Sequence, residues 1–160
     1  HMGYPDRRSS KTTNALFLSD CGRQPLALAT PQAGNHNDLY DLRQPFNEMC
    51  ALLKKAGIDL KRGGINADAG CDAEELRQAC AEKEIEGNID HNKGNEKQLK
   101  EDYVYFDEQL YKQGSVIERT KAWLDGFKTL LVRYEVQIST WMAAHFMAFV
   151  VLFLKTKLIC

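Results

Sequence analysis

Two hydrophobic periods alternate along this chain of 160 residues, and their order predicts an α/β protein. Residues 11–19 and 25–30 are rich in Thr and apolar side chains, and residues 20–24 between them favour a turn, so we expect a β-hairpin. Apolar residues then recur at helical spacing from Leu39 to Leu53, which predicts a helix. Pro45 lies inside this pattern and predicts a kink or a split into two pieces.

The middle of the chain continues the alternation. Gly57 is placed to end the first helix, and residues 63–68 read as a short strand that ends in an acid. Asp72 is a suitable helix N-cap, with Glu75 as its capping-box partner three residues later. Residues 85–89 read as a further short strand. The resulting order of strand, helix and strand is typical of an α/β sheet.

The last third of the chain is predicted to be mainly helical. Residues 91–102 are polar and predict a loop, whereas 116–158 predict helix with a break near 136–140. The apolar run Trp141–Leu154 is shorter than the ~20 residues that a membrane span needs. We therefore interpret 141–158 as a buried C-terminal apolar helix and expect no membrane association.

The composition fits one soluble domain covering residues 1–160. His1 and Met2 resemble a cloning scar rather than native sequence, and no signal segment follows them. The five cysteines are an odd number without C-x-x-C spacing, which predicts neither a disulfide framework nor a zinc site and fits a reducing cytoplasm. The net charge of -1 argues against a strongly basic nucleic-acid binder, although local clusters of Lys and Arg can still contact phosphates.

Two acids are the candidate metal ligands. Asp68 ends a predicted strand, and Glu118 lies in the first turn of a predicted helix. If they converge in space, their oxygen atoms suit Mg²⁺ or Mn²⁺, and a two-metal site of this kind cleaves phosphodiesters. Taken singly, each has an ordinary structural explanation, because Asp is common in turns after strands and Glu is favourable near a helix N-terminus. A two-metal site also usually needs a third carboxylate.

Several blocks of the sequence resemble insertion-sequence transposases of the DDE class. Residues 111–135 read Y-K-Q-G-S-V-I-E-R-T-K-A-W-L-D-G-F-K-T-L-L-V-R-Y-E and are similar to that family's signature. Residues 66–72, N-A-D-A-G-C-D, are similar to its second-aspartate block N-A-D-x-G-F-D. Residues 11–18 resemble its second strand, and 34–39, G-N-H-N-D-L, resemble a family loop. The resemblance runs from Gly3 to about Leu154, beginning just after the position of the family's first catalytic aspartate.

The resemblance implies a ribonuclease H-like mixed sheet flanked by helices, here lacking its first, central strand. It also implies that Asp68 and Glu118 are catalytic and bind Mg²⁺ or Mn²⁺. The implied partners are transposon-end DNA, target DNA and further copies of the chain. The implied function is DNA transposition by a catalytic-domain fragment that is inactive or very weak alone; the alternative is a non-catalytic DNA-binding or dimerisation module derived from a transposase.

The chain also departs from the family pattern. The block that carries the first aspartate is absent from the sequence, so whether the chain is an enzyme stays open. Asp20 and Asp6 are possible replacements, but Asp20 falls in the predicted hairpin turn and Asp6 in an irregular arm. Gly114 replaces the family's arginine, and Asp125 stands where related sequences often have Lys or Arg.

The remaining candidates have competing interpretations. His36 fits a capping loop better than a metal pocket, and His145 fits a core histidine better than a ligand. Trp123 and Trp141 are predicted core residues, with base stacking as the alternative for an exposed Trp. Basic residues that could contact DNA phosphates, or simply form solvated surface, are Arg7, Arg8, Lys11, Arg119, Lys121 and Lys128.

Overall fold

The computed structural model describes residues 13–33, 41–91, 106–112, 116–131 and 137–158. These residues form a mixed α/β structure. They group into two compact units: the first unit comprises His1–Asn35 with Ser115–Cys160, and the second unit comprises His36–Gly114.

The elements of the described residues, in chain order, are β1 (Thr13–Asn14), β2 (Phe17–Ser19), β3 (Pro25–Leu28), β4 (Gln32–Ala33), α1 (Arg43–Lys55), β5 (Gly64–Ala67), a 3-10 turn (Ala69–Cys71), α2 (Glu74–Glu82), β6 (Glu86–Ile89), α3 (Glu108–Lys112), α4 (Val116–Asp125), α5 (Lys128–Leu131) and α6 (Ile138–Leu158).

The first unit contains the predicted hairpin. β2 pairs antiparallel with β3, and β1 pairs antiparallel with β4, which confirms the hairpin prediction. The turn between β2 and β3 is held by Asp20, whose Oδ1 accepts a hydrogen bond from the backbone N–H of Gln24 at 2.7 Å. Arg23 completes the turn with a φ of 72°, a left-handed conformation.

The core of the first unit lies between this hairpin and the C-terminal helices. The buried apolar residues that form it are Leu28, Leu124, Trp141, Ala148, Phe149 and Leu152. Polar contacts fasten the same elements: Thr120 Oγ1 donates to the carbonyl of Arg23 at 3.0 Å, and Gln24 Nε2 donates to Thr156 Oγ1 at 2.7 Å. The hairpin, α4 and α6 are therefore packed together by both apolar and polar contacts.

The helical region that starts at Val116 is interrupted earlier than predicted. α4 ends at Asp125, and Gly126 and Phe127 separate it from α5. The N–H groups of these two residues bond to Trp123 and Leu124, three positions back, at 3.2 and 2.9 Å. Gly is a poor helix former, which explains why the helix tightens and ends here. Residues 132–136 lie outside the described residues, and α6 begins at Ile138, inside the predicted break.

Helix α6 is longer than the apolar run from which it was predicted. It covers 21 residues, and its segment Ile138–Lys157 is long and apolar enough to cross a membrane, by length and composition alone. One side of α6 packs in the core of the first unit, as predicted, whereas large apolar residues on other sides are exposed.

The second unit is built on a parallel strand pair. β5 and β6 pair in parallel, and α2 connects them. Helix α1 packs against α2, and α2 packs against β6. The buried residues of these layers are Pro45, Phe46, Met49, Leu53, Leu76, Ala79, Cys80, Ile85 and Ile89. In the described part of the chain each sheet has two strands, so a ribonuclease H-like sheet stays a prediction.

The kink predicted at Pro45 is wrong. Pro45 is the third residue of α1, which continues without a break to Lys55. In the first turn of a helix the missing N–H of proline has no intrahelical partner to lose, so the residue is tolerated. The predicted helix end is confirmed: Gly57 has a φ of 80°, and Gly57 and Ile58 close a Schellman motif through their N–H groups.

The predicted N-cap at Asp72 is also wrong. The N-cap of α2 is Ala73, which cannot form a side-chain cap, and the residues before it form a 3-10 turn. The Asp72 carboxylate instead accepts hydrogen bonds from Arg77, at 3.1 Å from Nε and 2.7 Å from Nη2. The guanidinium thus holds the carboxylate that would otherwise cap the helix.

Candidate functional site

Asp68 is positioned by the carboxyl end of β5. Its backbone is extended, with φ -77° and ψ 171°, so its side chain continues the alternation of the strand and lies on the same face as that of Asn66. Its side chain is exposed. Gly70 approaches it closely, because a Cβ added at Gly70 would lie 3.1 Å from Asp68 Oδ1. The sharp turn predicted at Gly70 therefore brings backbone against the carboxylate.

The parallel partner strand places a second acid next to Asp68. Ala67 pairs with Ile89 in the strand register, and the N–H of Asp90 donates to the carbonyl of Ala67 at 3.2 Å. Asp68 and Asp90 therefore follow neighbouring parallel strands at the same edge of the sheet. Asp90 was not predicted from the sequence, although an acid directly after the second predicted strand was the available signal.

A pair of asparagines fixes helix α3 on this face of the strand pair. Asn88 Nδ2 donates to Asn66 Oδ1 at 2.9 Å and to the carbonyl of Asp107 at 3.0 Å. Asn88 Oδ1 accepts from the N–H of Asp107 at 2.8 Å, and Asn66 Nδ2 donates to the carbonyl of Leu110 at 3.1 Å. Because these bonds reach both ends of the segment 107–110, they determine where the residue after it lies.

That following residue is Tyr111, whose hydroxyl meets the acids. Burial raises the pKa of Tyr111, and so do the negative charges of Asp90 and Asp68 and a hydrogen bond with Asp90. The ring of Phe106 packs against that of Tyr111 with centroids 5.1 Å apart. The phenol therefore stays neutral beside the two acids, since deprotonation would add a third negative charge to the group.

The negative charge of Asp68 and Asp90, with the Tyr111 phenol beside them, suits a cation. In the part of the chain that the structure describes, neither Asp68 nor Asp90 forms an ion pair with Lys or Arg. The available donors are carboxylate oxygens and a phenol, which are the hard ligands that Mg²⁺ and Mn²⁺ accept. Within the described ranges, no group of three or more His, Cys, Asp or Glu residues could hold a metal ion.

Glu118 belongs to the first unit, whereas Asp68, Asp90 and Tyr111 belong to the second. It lies in the first turn of α4, as predicted, and its side chain is 73% exposed. Lys121 Nζ lies 3.4 Å from Glu118 Oε1, one turn along the helix. The convergence of Asp68 with Glu118 stays a prediction.

The basic candidates divide between described and undescribed segments. Arg119, Lys121 and Lys128 are exposed on α4 and α5. Arg7, Arg8 and Lys11 lie outside the described residues, as do Asp6, His36 and Gly114. Asp125 is exposed on α4, in the same helix as the first two basic side chains.

The structural interpretations of three other residues are confirmed, and one is wrong. Asp20 holds the hairpin turn, Trp141 is 5% exposed, and His145 is 8% exposed with its Nδ1 2.9 Å from the carbonyl of Trp141. Trp123, however, is 37% exposed and is not a core residue. The buried residues of α4 are instead Thr120 and Leu124, which lie four residues apart and therefore on one side of the helix. Trp123 lies outside that side.

Comparison with known proteins gives no match: no protein-family model, curated protein or solved structure is significantly similar to the chain.

Proposed function

We propose that the chain is a catalytic-domain fragment of a DDE-class transposase, which takes part in DNA transposition through metal-dependent DNA cleavage and strand transfer. The observation that carries this proposal is the position of the Asp68 carboxylate, which follows a parallel strand and lies next to Asp90. Among the described residues, Asp68 forms no ion pair with Lys or Arg. The N-A-D-A-G-C-D block that contains Asp68 supports the assignment to this class.

The residues proposed to hold Mg²⁺ or Mn²⁺ are Asp68 and Glu118, with Asp90 adding negative charge beside Asp68. When bound, divalent ions activate the attacking oxygen and stabilise the leaving oxygen of a phosphodiester. Tyr111 lies beside these acids as a neutral phenol, because burial and the negative charges of Asp90 and Asp68 raise its pKa. The exposure of Asp68 and of Glu118 leaves both accessible to DNA.

The proposed activity of the chain alone is low. The acids proposed to bind the ions are two, Asp68 and Glu118, whereas a two-metal site usually needs a third carboxylate. Because Mg²⁺ gives up its hydration water reluctantly, a site short of one carboxylate binds ions weakly. The proposed partners are transposon-end DNA, target DNA and further copies of the chain, and the proposed location is the cytoplasm.

A nicking assay on supercoiled DNA with Mn²⁺ tests the enzymatic proposal. Nicking that requires Mn²⁺ and is lost in both Asp68→Asn and Glu118→Gln supports it. Glu74→Gln is the matched control, because Glu74 is also an exposed acid in the first turn of a helix. Nicking that survives in Glu118→Gln would contradict the proposal.

The second candidate is a non-catalytic module that binds DNA or dimerises. It is favoured by the exposed basic side chains Arg119, Lys121 and Lys128, together with the exposed ring of Trp123, which can stack on an unpaired base. DNA binding that needs no metal, weakens with salt and is reduced in Lys121→Gln, without nicking, would support this candidate instead.

A further inference from the structure

Helix α6 has a second apolar side that the first unit does not bury. Its inner side carries buried residues of the core, Trp141, Ala148, Phe149 and Leu152. Its outer side carries large exposed apolar residues: Met147 is 70% exposed, Val150 57%, Val151 38%, Phe153 50% and Leu154 50%. A soluble helix normally has one apolar face and one polar face, so this outer side is suited to a contact.

The exposed residues of the outer side are regularly spaced. Ala143, Met147, Val150 and Leu154 follow one another at spacings of four, three and four, and all are exposed. Thr140 precedes these four residues by three positions, and Lys157 follows them by three. Alternating spacings of three and four are the pattern by which one helix packs along another. We call this row of six residues, from Thr140 to Lys157, the seam. Its spacing fits a helix as its partner.

We propose that the occupant of the seam is α6 of a second copy of this chain, lying antiparallel across a twofold axis. A twofold axis between Met147 and Val150 sets Met147 of one copy opposite Val150 of the other. The same axis sets Ala143 opposite Leu154, which pairs a small side chain with a large one. It sets Thr140 opposite Lys157, so every seam position meets a compatible partner.

Charge selects the antiparallel direction. The last turn of α6 carries Lys155 and Lys157, and no acidic residue lies in its first turn. A parallel pair would bring the lysines of both copies together, which is unfavourable. An antiparallel pair separates them and places each basic end beside the N-terminal end of the other helix, where the neighbouring residues are Gln137, Ser139 and Thr140.

The exposed area is sufficient for a specific dimer. The five large exposed residues present roughly 500 Å² of apolar surface per copy, which is the size of the largest apolar patch on a typical monomer and is often a contact surface. Two copies together would then bury about 1,000 Å², the lower limit for a specific interface. Val151 and Phe153 lie on either side of the seam and would close its edges.

The inner contacts of α6 favour a protein partner over a bilayer. A membrane span needs apolar surface on every side, because lipid surrounds it. The inner side of α6 is instead committed to Leu28 and Leu124, and Thr156 accepts a hydrogen bond from Gln24 at 2.7 Å. Insertion into lipid would break this core, whereas pairing through the outer seam leaves it intact.

Sedimentation velocity of the full chain at increasing concentration tests the dimer. Met147→Glu combined with Val150→Glu is expected to weaken the dimer at least tenfold, because it places four carboxylates in the centre of the seam. Leu52→Glu combined with Ile58→Glu is the matched control, since these apolar residues of the second unit are 39% and 40% exposed. Circular dichroism checks that both variants retain their helices. A monomer at every concentration, or a dimer that persists in the seam variant, would overturn the proposal.

Crosslinking tests the direction, in a background with Cys21 and Cys160 replaced by Ser. Proteins carrying Ala143→Cys and Leu154→Cys are expected to crosslink when mixed, but neither with itself, because the two positions are about 16 Å apart along the helix. Crosslinking of Ala143→Cys with itself would contradict the antiparallel arrangement. Sedimentation of the unmodified chain with phosphatidylcholine vesicles, lost in the seam variant, would assign the seam to a membrane and overturn the proposal. None of these outcomes depends on transposase activity.

Discussion

Replacement of Asn88 by Ala is expected to release helix α3 and Tyr111 from the acidic group. Asn88 is 7% exposed and makes three hydrogen bonds, to Asn66 at 2.9 Å and to the backbone of Asp107 at 3.0 and 2.8 Å. At about 1 kcal/mol for each bond, the variant should lose about 2 to 3 kcal/mol. The loss falls on the docking of α3, because two of the three bonds join Asn88 to the residue just before that helix.

Hydrogen exchange followed by mass spectrometry measures this loss locally. In the variant, exchange of the amides of residues 107–112 should accelerate by roughly 30-fold, which corresponds to about 2 kcal/mol. Asn66→Ala removes only the bond to Leu110 and the one to Asn88, so its effect should be smaller. Asn47→Ala, on helix α1, is the control and should leave these amides unchanged.

Two outcomes would refute the reasoning about Asn88. Unchanged exchange at 107–112 in Asn88→Ala would mean that other contacts hold α3. Uniform acceleration across the second unit would mean that Asn88 stabilises the whole unit and does not position Tyr111 in particular.

Three further predictions concern stability, measured by urea unfolding. Gly57→Ala should cost about 1 kcal/mol although nothing lies within 4 Å of the added Cβ, because a φ of 80° is unfavourable for Ala; an unchanged midpoint would contradict this. Asp72→Asn should cost about 2 kcal/mol, because it removes the charge paired with Arg77 where the side chains of Asp72 and Arg77 are only 13% and 17% exposed. Glu82→Gln, which removes a charge from the exposed pair of Glu82 with Arg43, should lower the stability less. Burial raises the pKa of the Cys80 thiol from 9.0 to about 11, and nearby Cys50 adds to this, so the unfolded chain releases its proton first. The stability contributed by the neutral thiol is therefore present below pH 9 and lost between pH 9 and about 11, and a Cys80→Ala variant should show a smaller loss over that range.

Local signals in the sequence were sufficient for several parts of the fold. The hairpin, the strand before Asp68 and the helix end at Gly57 were all predicted, because turn chemistry and alternation are visible over a few residues. The buried positions of Trp141 and His145 also followed from their place in an apolar helix. The errors at Pro45 and Asp72 both concern helix starts: α1 begins at Arg43 and not near Leu39, and the N-cap of α2 is Ala73 and not Asp72.

The surroundings of Asp68 could not be predicted in the same way. Periodicity does not tell which strands are neighbours, so the parallel pairing that brings Asp90 beside Asp68 was missed. Helix α3 has only five residues and depends on bonds from Asn66 and Asn88, which lie 44 and 19 positions from their partners. A helix this short is stabilised by tertiary contacts and not by its own propensity. The exposure of the α6 seam could not be predicted either, because an apolar run does not reveal which side of the helix packs in the core.

The central claim is that Asp68 and Glu118 hold a common divalent ion, and a double-mutant cycle of Mn²⁺ binding tests it most directly. Affinities are measured by electron paramagnetic resonance for the unmodified chain, Asp68→Asn, Glu118→Gln and the double variant. If both acids bind one ion, the double variant should lose little more affinity than either single variant, with a coupling energy of about 1 kcal/mol or more. Losses that add to within about 0.5 kcal/mol would show that the two acids act independently and would contradict the claim.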